Sequence, residues 1–233
     1  MARPVLEIRE LWVHRRERAV CRGISLQVPA GAVIGLVGGP GSGKSTLLAC
    51  AALELAPSAG AVLLHGVDVT GAPEERRQAL RATSVCLVPV SDVAAGRPVA
   101  GGVTGAARAA AHERLAPALA GPFDVVLVDD VFDAAGDDGI PADDQVHTDG
   151  GPGGPPASAD AVVGQVEAVH ELLRRRARRL PAVVLASRNW RAVAAVADAM
   201  VVLRDGVVVD SGAVSQVLAS QRWGDAGRGR RTA

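Results

Sequence analysis

Tyrosine is absent from this 233-residue chain, aromatic residues make up only 2% of it, and a single lysine, Lys44, stands among 25 Lys and Arg residues. Each scarcity excludes something. With two Phe and three Trp, the core must be assembled from aliphatic side chains, for which 48% apolar residues are ample. Val, Leu and Ala in such numbers suit a buried parallel sheet with helices on its faces, and the length suits one α/β domain with a peripheral insertion. Cys21, Cys50 and Cys86 are odd in number, far apart and without metal-ligand spacing, which points to buried thiols in a reducing compartment. No apolar run approaches bilayer length, and the first residues alternate like a strand instead of forming a hydrophobic leader. The formal net charge is zero, so no bulk attraction to nucleic acid or acidic lipid is expected. A cytoplasmic protein follows, with any membrane role exerted through a partner.

Along the chain, Val5 to Val13 and Ile24 to Val28 alternate apolar and polar residues and read as two half-buried strands of an antiparallel edge. Ala32 to Val37 is a buried strand running into a glycine-rich loop, and Ser45 to Leu55 reads as a helix. Short strands follow at Ala61 to Leu64 and Val67 to Val69, then a polar helix from Pro73 to Arg81 and a buried strand at Ser84 to Val88. Gly105 to Leu119 is alanine-rich and helical in composition, and Asp124 to Val128 is an apolar strand ending in Asp129-Asp130. Residues 136–159 shift to Gly, Pro and Asp and predict a disordered surface insertion. Asp160 is a candidate N-cap for a helix to Arg179. The chain closes with strand (Ala182 to Ala186), helix (Trp190 to Ala197), strand (Met200 to Leu203), a turn at Asp205-Gly206, strand (Val207 to Asp210), a helix near Val214 to Ser220 and a basic tail over 221–233. The arginines at 174–176 and 178–179, and those of the tail, read first as solvated basic faces.

The lone lysine lies in Gly38-Gly39-Pro40-Gly41-Ser42-Gly43-Lys44-Ser45-Thr46, between a predicted strand and a predicted helix. Such a loop aims backbone N–H groups and the positive end of a helix at a polyphosphate. An ammonium on a thin stem can lie along the loop to the outer phosphates, where a guanidinium fork fits poorly. Lys44 is thus read as bridging the β- and γ-phosphates of a bound nucleotide, with Ser45 and Asp129 holding Mg²⁺.

Over residues 5–220 the chain resembles the nucleotide-binding domain of ATP-binding cassette (ABC) transporters. The resemblance is carried by Ile24 to Gly31 leading into the phosphate loop, by Pro57-Ser58-Ala59-Gly60-Ala61-Val62, by His65-Gly66-Val67-Asp68-Val69, and by Ala197-Asp198 through Val201 to Gly212. It implies a P-loop NTPase core over residues 1–220, with a mostly parallel sheet flanked by helices and an antiparallel β edge. It also implies MgATP as ligand, an integral membrane transporter subunit as partner, and a homo- or heterodimeric ATP-binding partner at the inner face of the membrane. Asp130 falls where the family places a catalytic glutamate, and Arg188 where it places a histidine near the γ-phosphate. The family's adenine-stacking aromatic falls at Val13-His14-Arg15, its glutamine sensor at Val90, its dimer-reading loop at Phe132 to Ala135, and its signature near Val99 to Val103. There, Gly101-Gly102 reads equally as a remnant or as coincidence in a chain with 27 Gly.

These departures imply that binding outlasts hydrolysis, because Lys44, Ser45 and Asp129 make ground-state contacts while the replaced groups act in the transition state. The expected function is a slowly hydrolysing ATP-binding transporter subunit. The alternative is a non-transport nucleotide switch. A GTPase is disfavoured because guanine recognition of the NKxD type needs a second lysine, and no kinase lid is identifiable after Arg97.

Overall fold

The structure, a computed structural model, describes residues 4–89, 115–129, 166–173 and 181–220. Val90, Val99 to Val103, Asp130, Phe132 to Ala135, the 136–159 insertion, the arginines at 174–179 and the tail lie outside the described residues.

Two sheets share one interior. The first is antiparallel and runs β2 (Arg18–Pro29), β1 (Pro4–Arg15), β4 (Ala59–Leu64), β5 (Val67–Asp68). The second has six strands in the order β10 (Val207–Ala213), β9 (Ala199–Arg204), β3 (Val33–Val37), β8 (Ala182–Ser187), β7 (Val125–Asp129), β6 (Val85–Pro89). From β9 to β6 all neighbours are parallel, and β10 adds an antiparallel edge. The antiparallel strands expected near the N-terminus form their own sheet instead of lining the edge of the main one. The helices are α1 (Lys44–Ala51), α2 (Glu74–Thr83), α3 (115–120), α4 (166–173), α5 (Trp190–Val196) and α6 (Val214–Ser220).

Strand periodicity explains the layering. Along β8, Ala182, Val184 and Ala186 face the cluster beneath α1 and the antiparallel sheet, whereas Val183 and Leu185 face the cluster formed with α3, α4 and α5. β7 divides the same way, with Val125 and Leu127 against Val126 and Val128, and all four are buried. Burial on both faces is why these strands read as unbroken apolar runs.

Two boundaries differ from the sequence reading for tertiary reasons. β2 starts at Arg18 because its first residues pair with the end of β1 across several register irregularities, which break the alternation that would have revealed them. α1 stops at Ala51, short of Leu55. Glu54 and Leu55 both donate back to the Ala49 carbonyl (2.9 and 3.1 Å), and Leu53 takes a left-handed φ of 60°. Burial of the Leu53 side chain and a 2.6 Å bond from Arg81 Nη1 to its carbonyl hold a conformation that sequence would assign to glycine.

Cys21 and Cys50 are buried and Cys86 is half-buried. Burial pushes the Cys21 thiol from 9.0 up to about 11, and burial together with neighbouring Cys21 pushes Cys50 up to about 12. A group whose folded pKa is raised stabilises the fold fully below its unfolded pKa, and that contribution is lost as pH rises through the folded value. With no tyrosine and one lysine, few other side chains titrate in that window. The melting temperature is therefore expected to fall between about pH 9 and pH 11. The fall should be shallower in a Cys21→Ala/Cys50→Ala double variant, and parallel profiles would refute the assignment to these thiols.

Candidate functional site

The carboxyl ends of β3, β8 and β7 open on one edge of the parallel sheet, where ligands of such sheets collect. Val37 of β3 is level with Ser187 of β8, and Val128 of β7 is level with Leu185. Asp129 and the start of the glycine loop are therefore two strand spacings apart, about 10 Å. α1 packs against β7 as well as β1 and β2, which sets its N-terminus over this edge.

From β3 the chain passes through Gly38 to Ser42 and enters α1 at Gly43, the N-cap, with φ 103° and ψ 1°. A β-carbon at Gly43 would lie 2.9 Å from the Val20 carbonyl oxygen, so backbone conformation and space both require glycine. The N–H groups of Lys44, Ser45 and Thr46 open the helix and have no acceptor within it. No acidic side chain in the first turn competes for them. Lys44 is only 6% exposed, and its Nζ donates to the carbonyls of Gly38 (2.8 Å) and Gly39 (3.1 Å). Its stem is thereby laid along the inside of the loop. Pro40, Gly41 and Ser45 are exposed, Gly39 and Thr46 are half-buried, and Gly38 and Ser42 are buried.

Among the described residues, two buried oxygens on this edge have no protein partner: Ser42 Oγ and Asp129 Oδ1. An unsatisfied buried polar atom costs about 1–3 kcal/mol, so a ligand or water is needed to complete the site. Backbone N–H groups, one ammonium, the Ser45 hydroxyl and the Asp129 carboxylate form a donor set that fits a polyphosphate carrying a hard cation. Arg188 follows β8 directly and is half-buried between buried Ser187 and Asn189. Ser187 Oγ accepts from the Asn189 N–H (3.0 Å), and Asn189 Oδ1 accepts from Ala192 N–H (3.1 Å), capping α5. Arg188 therefore sits on a corner fixed from both sides. Asp130, the expected catalytic carboxylate, lies outside the described residues.

Sequence reasoning passed over Trp12. Its indole stacks on the His14 ring, with centroids 6.3 Å apart and planes 10° from parallel, so His14 already has an aromatic partner. Strand periodicity was the available signal, because it puts residues 12 and 14 on one face of β1.

A family model described as ABC transporter matches residues 21–95. The lipoprotein-releasing system ATP-binding protein LolD 2 of Caulobacter vibrioides is 42% identical over 92 residues, which is 38% of this chain and 40% of that protein. The phosphonates import ATP-binding protein PhnC of Chromohalobacter salexigens is 50% identical over 62 residues, 26% of this chain and 23% of that protein. The matched stretch thus spans less than half the length of these curated relatives. Among solved structures, cbiO1 from Clostridium perfringens, part of the ABC transporter complex cbiONQ, superimposes with a TM-score of 0.65 at 18% identity, covering 94% of this chain and 92% of that one. The dimeric bacterial ABC transporter cassette MJ0796 gives 0.63 at 13% identity, covering 90% and 98%. At these identities the superpositions speak for the fold alone. Over residues 21–95 the chain is similar in sequence to the ABC transporter family, and over the described residues its fold is that of ABC transporter cassettes.

Proposed function

We propose that this chain is the ATP-binding subunit of an ABC-type transporter, binding MgATP and hydrolysing it slowly. The observation that carries the reading is the phosphate loop itself, whose buried lysine lies along it and whose Ser42 oxygen lacks a protein partner among the described residues. In this reading the α1 N-terminal N–H groups and Lys44 bind the β- and γ-phosphates, and Arg188 reaches the γ-phosphate from the end of β8. Ser45 and Asp129 would hold Mg²⁺, which when bound neutralises phosphate charge. Asp130 orients the attacking water with a side chain one methylene shorter than glutamate, which sets its carboxylate back by about 1 Å and slows turnover.

The relatives support a partner reading. cbiO1 is part of a transporter complex and MJ0796 forms a dimer. The corresponding arrangement here is an integral membrane subunit plus a second ATP-binding subunit, identical or different, on the cytoplasmic face. Among the described residues no helix is long and apolar enough to cross a membrane, so membrane attachment in this reading runs through that partner.

MgATP binding and single-turnover hydrolysis by the full chain, beside Asp130→Glu, test the proposal. Tight binding, slow turnover and an acceleration of about tenfold or more in Asp130→Glu are expected. Binding without turnover in either protein would overturn the hydrolytic part and favour a nucleotide switch.

A further inference from the structure

Three segments far apart in sequence meet backbone to backbone beneath the phosphate loop: Val20 to Arg22 of β2, Ser42-Gly43, and the Asp205-Gly206 turn between β9 and β10. Asp205 and Gly206 have φ of 47° and 77°, the left-handed pair of a two-residue hairpin closed by Arg204 and Val207. Arg22 grips two consecutive carbonyls of this turn. Its backbone N–H donates to Gly206 O at 2.7 Å, and its guanidinium Nε and Nη2 donate to Asp205 O at 2.9 and 2.5 Å. Gly206 N–H in turn donates to Ser42 O at 3.1 Å. No side chain can enter this junction, because a β-carbon on Gly206 would lie 2.3 Å from the Val20 carbonyl oxygen.

The consequence lies in one peptide plane. No cis peptide bond is present among the described residues, and in a trans peptide the C=O and the following N–H point in opposite directions. Holding Ser42 O toward Gly206 therefore turns the Gly43 N–H away from the β9–β10 turn and leaves it clear to meet an anion. We propose that Arg22 is a positioning residue for the phosphate loop: by clamping the Asp205-Gly206 turn it fixes the Ser42–Gly43 peptide in the orientation that receives phosphate. This rests on the nucleotide-binding reading of the same loop, and Arg22 itself touches no substrate.

Arg22→Ala removes the clamp on Asp205 O while leaving the backbone bond to Gly206 O, and the guanidinium is exposed, so no core cavity forms. In hydrogen exchange on the full chain without nucleotide, residues 204–207 and 42–44 are expected to exchange about fivefold to tenfold faster in Arg22→Ala, with the core strands unchanged. MgATP binding should weaken by about fivefold, and Arg22→Lys, which keeps one donor, should recover part of both effects. A merely structural role would instead raise exchange throughout the core.

Unchanged exchange at 204–207 and 42–44 overturns the inference. Faster exchange with unchanged MgATP affinity overturns the positioning role. If the unaltered chain does not bind MgATP, the nucleotide reading fails, and the exchange comparison alone then supports or overturns the clamp. Should Arg22→Ala prove insoluble, Arg22→Lys carries the same comparison.

Discussion

Lys44→Ala is expected to weaken MgATP binding by about tenfold to a hundredfold. A charge-assisted hydrogen bond is worth about 1.5–3 kcal/mol, and about 2.7 kcal/mol corresponds to a hundredfold in affinity. Lys44→Arg should not rescue it. The ammonium lies 2.8 and 3.1 Å from the carbonyls of its own loop, in a site 6% exposed, where a planar fork of five donors does not follow the same path. The melting temperature should move far less than the affinity, since alanine is an excellent residue for a helical position. Titration calorimetry checks the first quantity and a thermal melt the second. An unchanged affinity in Lys44→Ala would sink the nucleotide reading altogether.

Gly43→Ala is expected to damage both the fold and the site. A φ of 103° is foreign to residues with a β-carbon, and such strain costs about 1–3 kcal/mol. The new carbon would also stand 2.9 Å from the Val20 carbonyl oxygen and 3.7 Å from Gly206 Cα, so the loop must shift away from β2 and the β9–β10 turn. In a chain of this length about 2 kcal/mol lowers the melting temperature by about 4–8 °C. Binding should fall further than that loss alone predicts, because the displaced loop no longer presents its N–H groups together. The two readings separate by measuring affinity well below the melting transition, where the variant is fully folded. A variant that melts like the parent and binds MgATP equally would show that the loop does not need this glycine.

Much of this architecture was legible locally. The strand, glycine loop and helix around Lys44 are consecutive in the chain, and a turn such as Asp205-Gly206 announces itself by residue type alone. The helix over Val214–Ser220 likewise has the bounds its pattern suggests. Where reading failed, the cause lay elsewhere in the molecule. Leu53 ends α1 in a glycine-like conformation because a distant Arg81 holds its carbonyl. The first residues of β2 became strand because β1 pairs with them through a bulged register.

The sequence by itself determined the glycine-rich loop, its lysine and the aliphatic strands that place it, because each depends on residues adjacent in the chain or at strand period. Only the tertiary structure decided which groups hold the loop in shape and which are left for a ligand. Arg22 and Asp205 are 183 residues apart and share one hydrogen-bonded contact, and the pairing is to a backbone carbonyl, which every residue type possesses. Ser42 Oγ and Asp129 Oδ1 are without partners among the described residues because the packing of those segments brings them none. Such facts arise from the meeting of distant segments, and no local pattern of residues encodes them.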